Sequence, residues 1–229
     1  MKLNRTDRKA LESLSSIGCE VCFSAGGEAS STSHCHSISA RYYKEAHEFG
    51  DCVIAGFQRV LKGMSALEVP ELCFENEGTL KLTDSSNTGV ELCVEGICLD
   101  KEEQPVLPEI HPSAIRFLVN ASVVERIKLY GTTFNLNLLS MNASGGTLEI
   151  ELTSADGCSD SCYRESLLLE QEADFHTILD ATAFAKLVQG VDYTARLDMD
   201  SGVLQLDGLL AEGAEITYSV CLLDEQVFS

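Results

Sequence analysis

Lysine and arginine side chains gather in four short segments of this sequence, where they could form ion pairs with an anionic surface. The segments 2–17, 56–63, 120–130 and 181–190 hold nine basic residues against three acidic ones. The nine are Lys2, Arg5, Arg8, Lys9, Arg59, Lys62, Arg126, Lys128 and Lys186. The whole chain of 229 residues has a formal net charge of −20, so the rest of the sequence is strongly acidic. Because salt screens charges beyond about 8–10 Å, a local cationic surface can act on such a body.

Helix propensity explains only part of this charge distribution. Lysine and arginine are good helix formers, but glutamate is equally good and occurs only twice in the four segments. The chain also has no complete zinc-finger spacing, no helix-turn-helix pattern and no tryptophan. These observations favour contact with a phosphate backbone over the reading of bases.

A second set of residues could bind a metal ion. Cys19 and Cys22 form a CxxC pair, and His34, Cys35 and His36 follow it. Thiolate and imidazole groups are ligands that zinc prefers. However, the predicted strand across Cys19 and Cys22 places these two side chains on opposite faces. We therefore predict no metal site, and we interpret the ten cysteines as reduced thiols. A metal-binding regulator stays an alternative.

The histidines offer the only obvious groups for acid–base catalysis near neutral pH. They are His34, His36, His47, His111 and His176. None of them accompanies a nucleophile elbow, a phosphate-binding loop or a dinucleotide-binding motif. We therefore predict that the protein is not an enzyme and needs no cofactor.

Four helices must position the basic residues, and apolar residues at helical spacing predict them. The predicted helices span residues 6–18, 56–63, 120–131 and 180–190. A glycine ends each one and is expected to adopt a positive φ; the four are Gly18, Gly63, Gly131 and Gly190. Each helix leads into alternating segments such as "TLKLTD", "TLEIEL" and "VLQLDG", which predict half-buried strands. The chain therefore consists of four copies of one strand–helix–strands unit.

Two such units per domain give two domains. The segment "LDKEEQPVLPEIHPS", residues 99–113, contains three of the four prolines and has the composition of a connector. We predict an N-terminal domain at 1–99, a connector at 100–113 and a C-terminal domain at 114–229. No apolar run approaches the roughly 20 residues that span a membrane, so no membrane association is predicted.

Several of these stretches resemble one protein family. They are "MKLNRTDRKALESLSSIG", "FGDCVIAGFQRVLKG" and "FHTILDATAFAKLVQGVDYTARLDMDSGVLQLDG". Together with the Pro-rich connector, they are similar to the DNA polymerase sliding clamps of T-even-type tailed phages. That family shares its fold with proliferating cell nuclear antigen (PCNA). The resemblance covers nearly the whole chain, in order.

The resemblance implies an α+β fold of two clamp-type domains. In the family each domain consists of two βαβββ repeats, with antiparallel sheets outside and helices inside. Three subunits close into a homotrimeric ring around double-stranded DNA. The implied function is that of a processivity factor, which binds DNA without sequence preference through the nine basic residues and tethers the replicative DNA polymerase. An acidic β-rich structural protein is a further alternative.

The resemblance also implies partners, a location and two contact surfaces. An ATP-dependent clamp loader would place the ring on DNA in the cytoplasm of a bacterial host cell. The implied subunit interface consists of Val90, Leu92, Val94, Leu148, Ile150 and Leu152. The implied binding site for partner peptides consists of Val106, Leu107, Ile110, Leu222, Leu223 and Phe228.

Overall fold

The computed structural model describes residues 2–75, 79–95, 107–155 and 161–223, with the backbone alone at 87–90 and 95. The chain forms two compact units. Unit 1 comprises Met1–Leu107 and Leu210–Ile216, and unit 2 comprises Pro108–Leu209 and Thr217–Ser229. Most of the predicted connector lies outside the described residues, so the boundary at 100–113 stays a prediction.

Unit 1 contains two helices and two antiparallel sheets. In chain order the elements are α1 (Arg5–Ile17), β1 (Glu20–Ser24), β2 (Glu28–Thr32), β3 (Ile38–Tyr43), β4 (Cys52–Ala55), α2 (Gln58–Met64), β5 (Pro70–Phe74), β6 (Thr79–Asp84) and β7 (Asn87–Glu95). Within unit 1, the first sheet has the order β3-β2-β1-β4 and the second has the order β5-β6-β7. Strand β2 lies in the Ser-rich stretch "ASSTSHCHS" at 29–37, whose composition does not predict a strand, and β3 follows directly after it.

Unit 2 repeats this order of elements. They are β8 (Ile115–Val119), α3 (Ala121–Phe134), β9 (Leu138–Ser144), β10 (Thr147–Thr153), β11 (Tyr163–Leu168), β12 (Phe175–Asp180), α4 (Thr182–Lys186), β13 (Tyr193–Asp198), β14 (Val203–Leu209) and β15 (Glu215–Leu223). One run of strands has the order β11-β10-β9-β12-β15, while β13 lies between β8 and β14. A short 3-10 helix, Ala211–Gly213, precedes β15.

The element order confirms four successive βαβββ repeats. Three of them begin with a strand, namely β4, β8 and β12. The strand before α1 is reduced to one antiparallel bridge between Lys2 and Glu71. Among the described residues, no helix is long and apolar enough to span a membrane.

Helix α1 begins one residue earlier than predicted because Asn4 caps it. The Asn4 side chain accepts a hydrogen bond from the Asp7 amide at 2.8 Å, and the Asp7 carboxylate accepts one from the Asn4 amide at 2.9 Å. This reciprocal pair is a capping box, which satisfies two backbone donors at the helix start.

The predicted role of glycine at the helix ends is wrong at three of the four positions. Gly18 has an extended backbone, with φ −127°, and Gly63 and Gly131 lie inside α2 and α3. Helix α3 instead ends at Asn135, a left-handed residue with φ 54°. Of these four glycines, Gly190 alone has a positive φ, of 75°. It follows the five-residue helix α4 after a short turn.

Each unit has its own apolar core beneath its helices. In unit 1, Phe23 packs against Phe49, Phe57 and Phe74 with each pair of ring centroids 5.1 Å apart. In unit 2, the core includes Val123, Val124 and Ile127 of α3 together with buried leucine and isoleucine side chains of β9 and β10. Buried Tyr193 donates a hydrogen bond to the Val188 carbonyl at 3.0 Å, which satisfies its hydroxyl away from water.

Candidate nucleic-acid interface

Helix α1 presents a basic stripe to solvent. Arg5 and Lys9 are exposed and lie four residues apart, whereas Ala10, Leu11 and Leu14 are completely buried. Residues four apart share one face of a helix, so the two cations lie one turn above the other. Because the opposite side of α1 is buried, Arg5 and Lys9 face solvent.

Helix α2 lies beside α1 and extends the same kind of surface. The Gln58 side chain donates a hydrogen bond to the Ser15 carbonyl at 3.0 Å and so joins the two helices. A groove of about 320 Å³ runs between them, lined in part by Lys62. Arg59 and Lys62 are both exposed. We call Arg5, Lys9, Arg59 and Lys62 the unit 1 cationic face.

The four side chains of the unit 1 cationic face have no ion-pair partner in the described part of the chain. They therefore keep their charge available for an external anion. Arg8 lies next to this face but is half-buried, and its Nε has no hydrogen-bond acceptor among the described residues. Lys2 lies before α1, with its Nζ 3.3 Å from a Glu71 carboxylate oxygen, and so does not belong to the helical surface.

The basic residues of α3 in unit 2 are engaged within the protein. The Arg126 guanidinium pairs with the Glu165 carboxylate on β11, with Nε to Oε2 at 3.0 Å, and also donates to the Tyr163 hydroxyl at 3.0 Å. Glu165 and Tyr163 together raise the pKa of Arg126. Burial opposes ionisation of Glu165, but hydrogen bonds from Arg126 and Tyr163 outweigh it and lower the pKa of Glu165.

Lys128 points along the helix pair instead of toward solvent. Its Nζ donates a hydrogen bond of 2.5 Å to the carbonyl of Leu187, the C-cap residue of α4. A cation at a helix C-terminus satisfies an unpaired carbonyl and complements the helix dipole. Burial lowers the pKa of Lys128. Lys186, in the last turn of α4, is half-buried and has an interaction partner of its own.

The solvent-facing side of α3 is close to neutral. Its exposed residues are Ser122, Glu125, Leu129, Thr132, Thr133 and Phe134. Leu129 is 60% exposed. Sequence reasoning assigned similar roles to all four helices, but only the unit 1 helices present unpaired cations to solvent among the described residues.

Three of the six residues predicted for the subunit interface have side chains that are buried in the core of the chain. Leu148, Ile150 and Leu152 are at most 3% exposed, because they belong to the core of unit 2. Strand β10 is also paired on both sides, with β9 and with β11, so it offers no free edge. On β7, Leu92 is 44% exposed and Val94 is half-buried, while the Val90 side chain is outside the described residues.

The predicted peptide-binding residues are only partly described. Leu107, Ile110, Leu222 and Leu223 are half-buried, which leaves part of each side chain accessible. Val106 and Phe228 lie outside the described residues. The peptide site therefore stays a prediction.

The cysteine and histidine residues of the alternative metal site do not come together among the described residues. Cys19 is exposed and precedes β1, whereas Cys22 lies within β1 and is buried. In the described ranges, no three His, Cys, Asp or Glu side chains are arranged to hold a metal ion. Cys35 lies in the turn between β2 and β3, where hydrogen bonds with Ser37 and Ser33 lower the pKa of its thiol to about 7.

A buried polar cluster at the start of α1 escaped sequence reasoning. Asp7 is 1% exposed and accepts hydrogen bonds from the Tyr42 hydroxyl at 2.8 Å and from Lys44 Nζ at 3.1 Å. His47 Nε2 lies 3.3 Å from the same carboxylate, and Lys44 also binds Glu212 at 2.7 Å. Burial alone would raise the pKa of Asp7, but these contacts and the capping amide lower it well below its usual range. Partners 35 or more residues apart leave no local sequence signal.

With this geometry in place, the fold can be assigned. Two units, each made of two βαβββ repeats with antiparallel sheets, define the DNA clamp fold. No protein-family model matches the chain, and no curated protein sequence matches it.

Solved structures with this fold match almost the full length of the chain. PCNA of Entamoeba histolytica aligns with a TM-score of 0.71 and 15% identity over 96% of this chain and 95% of that one. PCNA of A. fulgidus, bound to the C-terminal region of FEN-1, aligns with a TM-score of 0.70 and 14% identity over 95% of each chain. The PCNA2–PCNA3 complex of Sulfolobus tokodaii aligns with a TM-score of 0.69 and 13% identity over 97% and 99%. At these identities the similarity establishes the fold.

Proposed function

We propose that this protein is a sliding clamp, a non-catalytic ring that encircles double-stranded DNA and tethers a replicative polymerase. The observation that carries this proposal is the unit 1 cationic face, which lies on the helices of a DNA clamp fold. Arg5, Lys9, Arg59 and Lys62 are exposed cations on a chain with a net charge of −20. Contacts of this kind bind phosphates without regard to base sequence.

The finer parts of the proposal concern partners and origin. The solved relatives support partner docking and assembly in this fold, since one is bound to a FEN-1 segment and another is a complex of two PCNA chains. For this chain we propose a homotrimer, an ATP-dependent clamp loader and a location in the bacterial cytoplasm. The sequence resemblance to clamps of T-even-type phages supports a phage origin.

The structure favours a revised subunit contact for this ring. Assembly by strand addition needs free edges, and β11 is the outer strand of its run in unit 2. Its Leu168 is 80% exposed. In unit 1, β7 is one of the two outer strands of the described sheet β5-β6-β7, and its Leu92 is 44% exposed. We propose that β7 of one subunit faces β11 of the next, in place of β10.

The proposal is tested by asking whether DNA is held by topology. The purified protein is threaded at low salt onto a linear duplex with one blocked end, and the second end is then blocked. Salt is raised to a level that breaks ordinary ion pairs, and the retained protein is measured. A ring stays on the doubly blocked duplex and leaves the duplex whose second end is open.

Two results would contradict the proposal. Equal retention on both duplexes would indicate ordinary binding, and absence of binding at low salt would remove the interaction with DNA. The variant Arg59→Gln/Lys62→Gln serves as the comparison, because it removes two exposed cations that would bind phosphates. We expect it to thread less efficiently.

A further inference from the structure

We infer that unit 1 alone supplies the phosphate contacts of each subunit, and that Arg126 and Lys128 are positioning residues of unit 2. This inference rests on the proposed function and names the part of the chain that carries it out. Nine basic residues in four segments look equivalent in the sequence. In the structure, the interactions of six of them define two groups with different roles, four residues on α1 and α2 and two on α3.

The first group is available to a ligand. Arg5 and Lys9 on α1, and Arg59 and Lys62 on α2, are exposed and have no acidic partner in the described part of the chain. Exposed cations without a partner can release counterions from DNA, which is the main source of sequence-independent affinity. The helix-to-helix hydrogen bond from Gln58 keeps the two pairs of cations on adjacent helices.

The second group is used inside unit 2. Arg126 binds the Glu165 carboxylate and the Tyr163 hydroxyl, and so joins α3 to the edge strand β11. Lys128 donates to the Leu187 carbonyl and so joins α3 to the end of α4. A phosphate could engage Arg126 only in competition with a charge-assisted pair. Breaking the Lys128 hydrogen bond would leave a helix-end carbonyl unsatisfied.

The exposed side of α3 points to the same conclusion. It carries Glu125 and the 60% exposed Leu129 in place of free cations. A carboxylate and an aliphatic side chain give phosphates nothing to bind. Each subunit would therefore offer phosphates fewer cations than the nine basic residues of its sequence suggest. Fewer simultaneous ion pairs mean a shallower salt dependence, since the slope scales as about −0.9 per phosphate neutralised.

Matched double variants test this assignment. Lys9→Gln/Arg59→Gln and Arg126→Gln/Lys128→Gln each remove two positive charges, so both proteins have the same net charge. Binding to a labelled duplex is measured across a salt series, and thermal melting is measured in parallel. For the unit 1 variant we expect about tenfold weaker binding at low salt and a slope less steep by about 1 for each cation–phosphate pair removed. Its melting temperature should stay unchanged.

For the unit 2 variant we expect the reverse. Its melting temperature should fall, because the side chains that tie α3 to β11 and to α4 are removed, while its affinity and salt slope should match those of the unaltered protein. Equal reductions of affinity in the two variants would overturn the inference. A failure of the unaltered protein to bind the duplex would instead refute the proposed function itself.

A second pair covers the case in which Arg126→Gln/Lys128→Gln does not fold. Lys62→Gln and Lys186→Gln each remove one cation from the last turn of a short helix, α2 or α4. We expect the first to weaken DNA binding and the second to leave it unchanged within twofold. Equal weakening by the two would overturn the assignment to unit 1.

Discussion

Asp7 combines a helix-capping role with the charge of a buried ion pair. Its carboxylate receives the Asn4 amide, the Tyr42 hydroxyl and the Lys44 ammonium while being 1% exposed. A buried carboxylate is tolerated only with such a set of partners, because each ion loses its hydration. The cluster therefore ties the start of α1 to β3.

Replacing Asp7 by asparagine should be strongly destabilising. Asp7→Asn keeps the shape of the side chain but leaves Lys44 without its buried counterion, so that only the exposed Glu212 still pairs with it. We expect a loss of about 3 kcal/mol in the free energy of unfolding at pH 7, measured in urea. The control Glu12→Gln, on the exposed side of the same helix, should change it by less than about 0.5 kcal/mol.

The pH dependence of the same pair of proteins has a defined sign. The pKa of Asp7 is lower in the folded chain than in the unfolded chain, where it is about 3.9. The ionised carboxylate therefore stabilises the fold above about pH 4, and this stabilisation declines as the pH falls below that value. The difference between the unaltered protein and Asp7→Asn should narrow in acid. A difference that stays constant down to about pH 2 would contradict this account.

At the scale of residues, the sequence predicted which side chains form the cationic surface but not which of them are paired within the protein. The basic residues on the helices were identified from their spacing alone. The partners of Arg126 and of Asp7 were not, since Glu165 lies 39 residues from Arg126 and Lys44 lies 37 residues from Asp7. Whether a cation is free or paired depends on residues far away in the sequence, so it can be seen only in the folded chain.

At the scale of elements, Gly18 shows why a glycine can be required without a left-handed backbone. Its φ of −127° suits any residue. A side chain at this position, however, would place its Cβ 2.3 Å from the Thr32 carbonyl oxygen. The junction between α1 and β1 therefore passes too close to β2 for any side chain.

Gly18→Ala should destabilise unit 1 through this clash. We expect a cost of about 2–3 kcal/mol from overpacking, measured by urea unfolding. The comparison is Gly145→Ala, at a turn where φ is 58° and a Cβ would meet open space. That variant should cost about 1 kcal/mol from backbone strain alone. The opposite ranking would show that the main chain around Gly18 can move aside.

The elements themselves were largely predictable, and their ends were not. Period-two alternation identified strands such as β6, β10 and β14, and helical spacing identified all four helices. Helix ends depend on capping contacts, as at Asn4, and on how closely a neighbouring strand passes the end of the helix, as at Gly18. The resemblance to sliding clamps placed Leu148 and Ile150 in a subunit interface, although both side chains lie in the core.

At the scale of the whole molecule, the proposed ring depends on the edge of β11. Leu168→Lys places a charge on a side chain that is 80% exposed in the single chain. Burying a leucine contributes about 1.5–3 kcal/mol, so the dissociation constant of the assembly should rise at least about tenfold. The check is mass in solution by light scattering over a concentration series. We expect three times the 24.8 kDa of one chain for the unaltered protein.

A control separates the edge from general surface charge. Leu209→Lys changes a side chain on β14 that is 72% exposed. It adds the same charge away from β11, and its assembly should match that of the unaltered protein. A monomeric unaltered protein at high concentration, or equal weakening by both variants, would rule out the β11 contact.

Unit 1 is not a single stretch of chain, since Leu210–Ile216 completes it. Glu212 brings a carboxylate from this segment to Lys44 at 2.7 Å, and the Asn4 side chain donates to it at the same distance. A gene divided at the connector would therefore encode a first half without this carboxylate. Recombination between related genes that exchanged only one half would separate Lys44 from Glu212. We expect viable hybrids of this protein to keep those two positions from the same parent.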